Sequence, residues 1–156
     1  FLTSFEPFRR RGLPAFEEAM WLISEREREA IGVSMVQRLR EAHEADDADV
    51  TQLLTQEVAL LERCRAADDS IADGVDLFPL PGVTPGTCGL LLAQPNLTVL
   101  VCGDAIPTVE HLREGKVLPS AADVEQARES FTEAVEIADV LILGRDNLVV
   151  NPLRKF

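Results

Sequence analysis

Two short apolar runs with a turn between them most constrain the fold of this chain. Residues 89–93 are apolar, residues 97–102 are apolar except for Thr98, and Gln94-Pro95-Asn96 separates the two runs with residue types that form tight turns. This pattern predicts a β-hairpin, in which Cys88 lies near Cys102. We expect two buried thiols there rather than a disulfide, because the three cysteines are odd in number and lack CxxC spacing.

Two amphipathic helices precede this hairpin. Ser24 and Glu27 have the spacing of a capping box, and apolar residues then recur at helical intervals. Asp49 is the expected N-cap of a second helix, whose apolar positions extend to Cys64. We expect the two to form an antiparallel helical hairpin. Residues 24–73 hold 13 acidic and 6 basic side chains, which favours a solvated outer face over a partner-binding one.

Shorter elements flank the helices and the β-hairpin. Residues 21–23, 77–80 and 140–143 are strand candidates, and residues 1–3 have the pattern of a strand end. Pro14 suits the first turn of a helix that extends to Met20, and Ser120 with Asp123 predicts the start of another helix. Helices that alternate with strands indicate α/β layers, and 156 residues suffice for one domain.

Charge and hydropathy exclude several classes of protein. A net charge of −12 excludes binding to the phosphate backbone of nucleic acids as the default role. No apolar run approaches the roughly 20 residues of a membrane span, and no signal peptide is evident, so we expect a cytoplasmic protein. Phosphate-loop, dinucleotide and Ser-His-Asp signatures are absent from the sequence, and we expect both histidines, His43 and His111, at the surface.

Four loops that follow strands concentrate glycine, proline and charge, and such loops are where sites are built. Their order resembles the metallo-β-lactamase family of binuclear metal hydrolases. The segment Ser4-Phe5-Glu6-Pro7-Phe8-Arg9 is similar to the family's His-x-His-x-Asp-His motif, Pro81-Gly82-Val83-Thr84-Pro85-Gly86-Thr87 to Pro-Gly-His-Thr-Pro-Gly-His, Gly103-Asp104-Ala105 to the bridging-aspartate motif, and Leu143-Gly144-Arg145-Asp146 to Pro-Gly-His-Asp.

The resemblance implies a metallo-β-lactamase-like αβ/βα sandwich. It covers nearly the whole chain except residues 24–73, so we interpret 1–156 as one such domain with an inserted acidic helical hairpin. The family's early strands would precede Thr3. We therefore expect either a longer chain or another chain that supplies the N-terminal strands.

The resemblance also implies where metal ligands would lie. The matching positions are Ser4, Glu6, Phe8, Arg9, Val83, Asp104 and Arg145. Only Asp104 keeps the family's residue, and Val83 and Phe8 offer no lone pair, so we expect no metal and no other cofactor. Our hypothesis is that Arg9 and Arg145 pair with Asp104 and Glu6, while Val83 and Phe8 fill the vacated volume.

These replacements predict a catalytically degenerate protein with a noncatalytic structural or interaction role. We expect a homo-oligomer or a subunit beside another protein chain, with the acidic hairpin as the first candidate interface. One alternative is a hydrolase with a rebuilt site, either with one zinc ion on Glu6 and Asp104 or without metal, using Glu6 or Asp146 as base. Another is a small-anion sensor that uses Arg9 and Arg145.

Overall fold

Helices and strands alternate in an α/β arrangement in the computed structural model, which describes residues 1–154. In chain order the elements are α1 (Pro7–Arg10), a 3₁₀ turn (Leu13–Phe16), β1 (Leu22–Ile23), α2 (Glu25–Glu44), α3 (Ala48–Arg63), β2 (Arg65–Ala66), β3 (Ser70–Ala72), β4 (Val75–Pro79), β5 (Cys88–Gln94), β6 (Leu97–Gly103), α4 (Val109–Glu114), α5 (Val124–Ile137), β7 (Val140–Leu143) and β8 (Leu148–Val150).

Strands β3 to β8 form a six-stranded sheet in sequence order. Its neighbouring strands are antiparallel except for β6 and β7, which run parallel. A parallel pair needs a long crossover, and α4 and α5 supply it. The predicted β-hairpin is β5–β6, and its turn leaves only Pro95 and Asn96 between the strands. The parallel step brings the ends of β6 and β7 to the same edge of the sheet.

Helices α2 and α3 form the predicted helical hairpin and contact each other along their length. The Ser24 hydroxyl caps α2 by accepting a hydrogen bond from the Glu27 N–H at 3.2 Å, as predicted. The N-cap prediction for α3 is wrong, because Asp47 and not Asp49 caps it, accepting from Val50 N–H at 3.0 Å. Asp46 adopts a positive φ of 53°, so the chain has already turned and is extended at the next residue.

Two other predicted helix boundaries are also wrong. The segment after Pro14 forms one 3₁₀ turn that ends at Phe16, whose carbonyl accepts from the Trp21 indole N–H at 2.7 Å. Helix α5 begins after Asp123, whose carboxylate accepts from Gln126 N–H at 3.0 Å, rather than at Ser120. At α5 the Asp123 side-chain hydrogen bond marks the N-cap.

Two apolar clusters form the core. The larger lies between the sheet and the crossover helices, and its members are Leu80, Leu100, Cys102, Ala105, Ile106, Leu112, Phe131, Ala134, Ala138, Leu141 and Leu143. The smaller joins the first residues to α2 and α3, and its members are Leu2, Phe5, Leu13, Trp21, Ile23, Met35, Leu61 and Cys64. Phe5 of the first motif loop belongs to the smaller cluster and Ala105 of the third to the larger, so each cluster includes a residue of a predicted motif loop.

The three cysteines are free and buried, as expected. Burial raises the pKa of the Cys88 thiol to about 11 and that of Cys102 to about 12. Both therefore stay protonated at neutral pH and act as small apolar side chains. None of the helices within residues 1–154 is long and apolar enough to cross a membrane.

Candidate functional site

Asp104 lies between two arginines where the motif loops meet. Arg9 donates from Nε to Oδ2 at 3.1 Å, and its Nη2 also bonds Oδ1. Arg145 donates from Nε to Oδ1 at 2.9 Å and from Nη2 to Oδ2 at 3.2 Å. Each guanidinium thus binds both carboxylate oxygens, which is the strong bidentate geometry. This pairing was expected from the sequence and is present in the structure.

Two glycines bring these side chains together. Gly103 ends β6 with a φ of 55°, which turns the chain at Asp104. Gly144 follows β7, and a Cβ built on it would lie 2.2 Å from the Gly103 carbonyl oxygen. Only glycine permits this close approach of the two strand ends. The parallel β6–β7 pair therefore presents Asp104 and Arg145 side by side, and Arg9 reaches them from α1.

The charges of this cluster perturb one another. The Asp104 side chain is fully buried, and burial alone would raise its pKa. The hydrogen bonds from Arg145 and Arg9 outweigh burial and hold the pKa of Asp104 below its usual value. The hydrogen bond with Asp104 raises the pKa of Arg145 in turn. These three side chains together carry one net positive charge, and the Glu6 carboxylate lies close enough to interact electrostatically with both guanidiniums.

Glu6 was expected to pair with the two arginines, but it does not join this cluster. Within residues 1–154 its carboxylate forms no ion pair with either arginine. Burial, and then the negative charge of Asp104, raise the pKa of Glu6. The residue is instead the N-cap position of α1, which Pro7 begins. The prediction that Glu6 shares the guanidiniums with Asp104 is therefore wrong.

The two apolar replacements differ in their surroundings. Val83 is buried, in agreement with a volume-filling side chain. Phe8 is 51% exposed, so the prediction that it fills the interior is wrong. Its ring lies on the surface with the guanidiniums of Arg145, Arg9 and Arg11 at 5.2, 5.6 and 5.8 Å from its centroid. These are cation–π distances, so Phe8 covers the cluster from outside.

Glu27 is a residue of the site that sequence reasoning misassigned. It is completely buried, and its carboxylate does not return to the N-cap as a capping box requires. Oε1 accepts from Phe5 N–H at 2.8 Å, while Oε2 accepts from the Thr84 hydroxyl at 2.7 Å and from Gly86 N–H at 3.1 Å. Glu27 thus ties the first motif loop to the second. The missed signal is that Glu27 shares its helix face with the apolar Ile31.

The glycines of the second motif loop hold it against two helices. A Cβ on Gly86 would lie 2.1 Å from the Glu27 nitrogen, and one on Gly82 would lie 2.3 Å from the Ala127 nitrogen. Gly82 also has a φ of 132°. In the first motif loop, Ser4 is buried, and its hydroxyl has no hydrogen-bond partner among the described residues. The two loops thus form one closely fitted unit with α2 and α5.

The remaining sequence candidates lie away from this centre. His43 is exposed, and the His111 ring is half-buried, with Nδ1 at 2.9 Å from the Thr108 hydroxyl. The Asp146 carboxylate accepts from Val109 N–H at 3.2 Å and from Asn147 N–H at 2.8 Å, and these bonds lower its pKa. An acceptor of lowered pKa is a poor general base at neutral pH.

Similar solved structures identify the architecture. AidC, a dizinc quorum-quenching lactonase, has a TM-score of 0.62 at 14% identity, covering 86% of this chain and 51% of its own. The hydrolase AbOPH of the β-lactamase superfamily has a TM-score of 0.61 at 16% identity, covering 92% and 55%. A variant of AiiA from B. thuringiensis with N-decanoyl-L-homoserine at its active site has a TM-score of 0.57 at 20% identity, covering 92% and 54%. The chain has the metallo-β-lactamase fold.

The metallo-β-lactamase fold was the fold expected from the motif loops. This chain spans about half the length of those three structures. No family model matches the sequence, and no curated protein matches it either.

The side chains at the centre of this metallo-β-lactamase fold do not suit a pair of zinc ions. Within residues 1–154 no group of three or more His, Cys, Asp or Glu side chains is placed to hold a metal ion. Both oxygens of Asp104 accept from guanidiniums, and a dication beside Arg9 and Arg145 would be repelled. Zinc prefers imidazole, thiolate and carboxylate ligands, and Asp104 is one carboxylate among cations.

Proposed function

We propose that this chain is a noncatalytic protein of metallo-β-lactamase fold that acts as a structural or interaction component. The observation that carries the proposal is the double ion pair of Arg9 and Arg145 with the buried Asp104. It occupies the place where the motif resemblance puts a metal centre. Arginine cannot supply a lone pair to a metal, and both guanidiniums are committed to the carboxylate.

The cluster replaces what metal ions would do for folding. A buried carboxylate without a partner is costly, and each guanidinium offsets that cost with two hydrogen bonds. Arg9 also donates to the Gly144 carbonyl and so links α1 to the loop after β7. The proposed role of the cluster is therefore to hold three motif loops together without a metal. Val83 of the second motif loop is also buried, which is consistent with a centre built for packing.

An interaction role needs a binding surface. In the helical hairpin, Leu54 and Leu61 are buried within the chain, whereas Leu53 is exposed. The hairpin also exposes Val33, Val36 and Val50, so its surface combines uncovered apolar side chains with negative charge. We infer that its outer face contributes to an interface with a second copy or another chain.

Metal analysis tests the noncatalytic role. Protein purified without added zinc should contain far less than one zinc ion per chain, and added zinc or manganese should not raise the melting temperature. The matched control is the Arg145→His, Arg9→His double variant, which offers imidazoles in place of guanidiniums. About two zinc ions bound per wild-type chain would overturn the proposal.

A second candidate function, small-anion binding, is favoured by one observation. The Arg145 side chain is 37% exposed and belongs to a cluster with net positive charge. Chloride, phosphate and acetate added separately in a thermal-shift assay distinguish the candidates. A rise in melting temperature with one anion that disappears in Arg145→Gln would favour the anion site.

A further inference from the structure

The outer side of helix α2 carries two valines that nothing else in residues 1–154 covers. Val33 is 72% exposed and Val36 is 56% exposed, although they lie on a helix whose other side holds the buried Met35 and Ala42. Met35 belongs to the smaller core cluster, so the two valines face away from that cluster. Valine is also among the weaker helix formers. Neither packing within the described chain nor helix propensity therefore accounts for this pair.

A charged side chain continues the pair at each end. Glu29 lies four positions before Val33, and Arg40 lies four positions after Val36. Separations of four, three and four positions are those of a coiled-coil seam, so the four residues share one side of the helix. Glu29 and Arg40 are exposed, and neither forms an ion pair within residues 1–154. These four residues are here named the α2 seam.

The α2 seam is complementary to itself when two copies of the helix run in opposite directions. A two-fold axis between positions 34 and 35 places Val33 opposite Val36 of a second copy, and Glu29 opposite its Arg40. Each contact then occurs twice, because a two-fold interface repeats every pair. A parallel arrangement in register would instead place Glu29 beside Glu29 and Arg40 beside Arg40, and like charges at an interface are unfavourable.

We infer that α2 forms an antiparallel helix pair with α2 of a second copy of this chain. The valines meet at the centre of the pair, and a Glu29–Arg40 ion pair closes each end. The inference rests on the interaction role proposed above for the helical hairpin, and it identifies the partner as a second copy and the contact as the α2 seam.

The charges around the α2 seam permit two copies to approach. Residues 24–73 carry seven more acidic than basic side chains, but α2 itself holds five acidic and four basic ones, and Glu27 is buried. Two α2 helices therefore repel each other little. The next positions along the seam are Arg26 and His43, which would face each other, and Glu44 beside His43 offers a carboxylate to Arg26 of the other copy.

Sedimentation equilibrium of the wild-type chain, with matched valine variants, tests the pairing. Between about 10 and 500 µM, the average mass should rise with concentration toward that of two chains. Val33→Ser should weaken the dimer at least about tenfold, because it removes two valines from a symmetric contact. Val150→Ser should leave it unchanged, since Val150 is 69% exposed but belongs to β8. Serine and valine have similar helix propensities, so circular dichroism should show α2 intact.

Exchange of the end charges tests the direction of the helices. Glu29→Arg and Arg40→Glu should each weaken the dimer at least about tenfold, because two attractive pairs become two repulsive ones. In an equimolar mixture, every arginine of the first variant faces a carboxylate of the second. The mixture should therefore associate with an affinity within about threefold of the wild type, as should the double variant Glu29→Arg, Arg40→Glu. A variant that merely misfolds would not be rescued by mixing.

Three results would overturn the inference. They are a wild-type mass of one chain at about 500 µM, single charge variants that fail to associate when mixed, and equal losses in Val33→Ser and Val150→Ser. A wild-type monomer would assign the α2 seam to a different protein. The noncatalytic role is tested separately, since a monomer without zinc would refute only the dimer, whereas zinc bound by an intact dimer would refute only the noncatalytic role.

Discussion

Replacing Asp104 with asparagine removes the charge at the centre of the arginine cluster while keeping its shape. In Asp104→Asn, the side-chain amide offers one acceptor oxygen, and its NH₂ group faces guanidinium donors. Arg9 and Arg145 then lose the carboxylate that both of them bind. We therefore expect the variant to fold with a large loss of stability.

The expected size of the loss follows from the exposure of each partner. Breaking a buried ion pair costs about 3–5 kcal/mol. Arg9 is 15% exposed and Asp104 is fully buried, so this pair falls near the lower end of that range, at about 3 kcal/mol. The Arg145 pair is 37% exposed on the arginine side, and solvent screening limits its share to about 0.5 kcal/mol. The total is about 3.5 kcal/mol, a large part of a typical stability of about 5–15 kcal/mol.

Urea unfolding followed by circular dichroism measures this loss. With a slope of about 2 kcal/mol per M, the midpoint of Asp104→Asn should fall by about 1.5–2 M. The control is Asp76→Asn, an exposed aspartate on β4, whose midpoint should change little. A loss below about 1 kcal/mol for Asp104→Asn would refute the argument that the cluster holds the motif loops together.

Three further predictions concern the same loops. Folding lowers the pKa of Asp104, so the stability that its ionised carboxylate contributes is complete above its unfolded pKa of about 3.9 and is lost as the pH falls through its folded pKa. The urea midpoint of the wild type should therefore drop more steeply between about pH 5 and pH 2 than that of Asp104→Asn. Gly86→Ala should abolish or severely reduce folding, measured by soluble yield and circular dichroism, whereas Gly12→Ala, with no atom within 4 Å of its added Cβ, should behave like wild type. Glu27→Gln should lower the free energy of unfolding by about 2–3 kcal/mol in urea titrations, because its NH₂ would face a donor, and an equal loss in the exposed Glu29→Gln would contradict the assignment.

Long periodic segments and the spacing of the motifs made much of the fold predictable. The helical hairpin, the β5–β6 hairpin and β7 follow from apolar patterns that span several residues. Strands β3 and β8 were not predicted, because each has only three residues, too few to show an apolar period, and each lies at an edge of the sheet. The N-caps of α3 and α5 were misplaced where several capping residues lie within four positions, and only the turn of the chain selects among them.

The centre of the site was predictable in part. The need to balance the charge of a buried Asp104 was enough to predict that Arg9 and Arg145 pair with it. The direction of Phe8 was not, because Pro7 begins a one-turn helix that turns the ring outward. The role of Glu27 was also hidden, since its partners Thr84 and Gly86 are 57 and 59 positions away along the chain. Local spacing identifies a helix start but not a long-range acceptor.

The contacts of Glu27 have a consequence for how such a protein can change during evolution. The first turn of α2 is fastened to both motif loops, and Met35 and Leu61 anchor the next part of the hairpin in the smaller core cluster, whereas residues 43–50 around its turn are exposed. Insertions, deletions or exchanges at that exposed turn should therefore be tolerated, whereas loss of Glu27 removes the acceptor on which Phe5 and Gly86 converge. The tolerated break points are then expected at the turn between α2 and α3 rather than in the loop before α2.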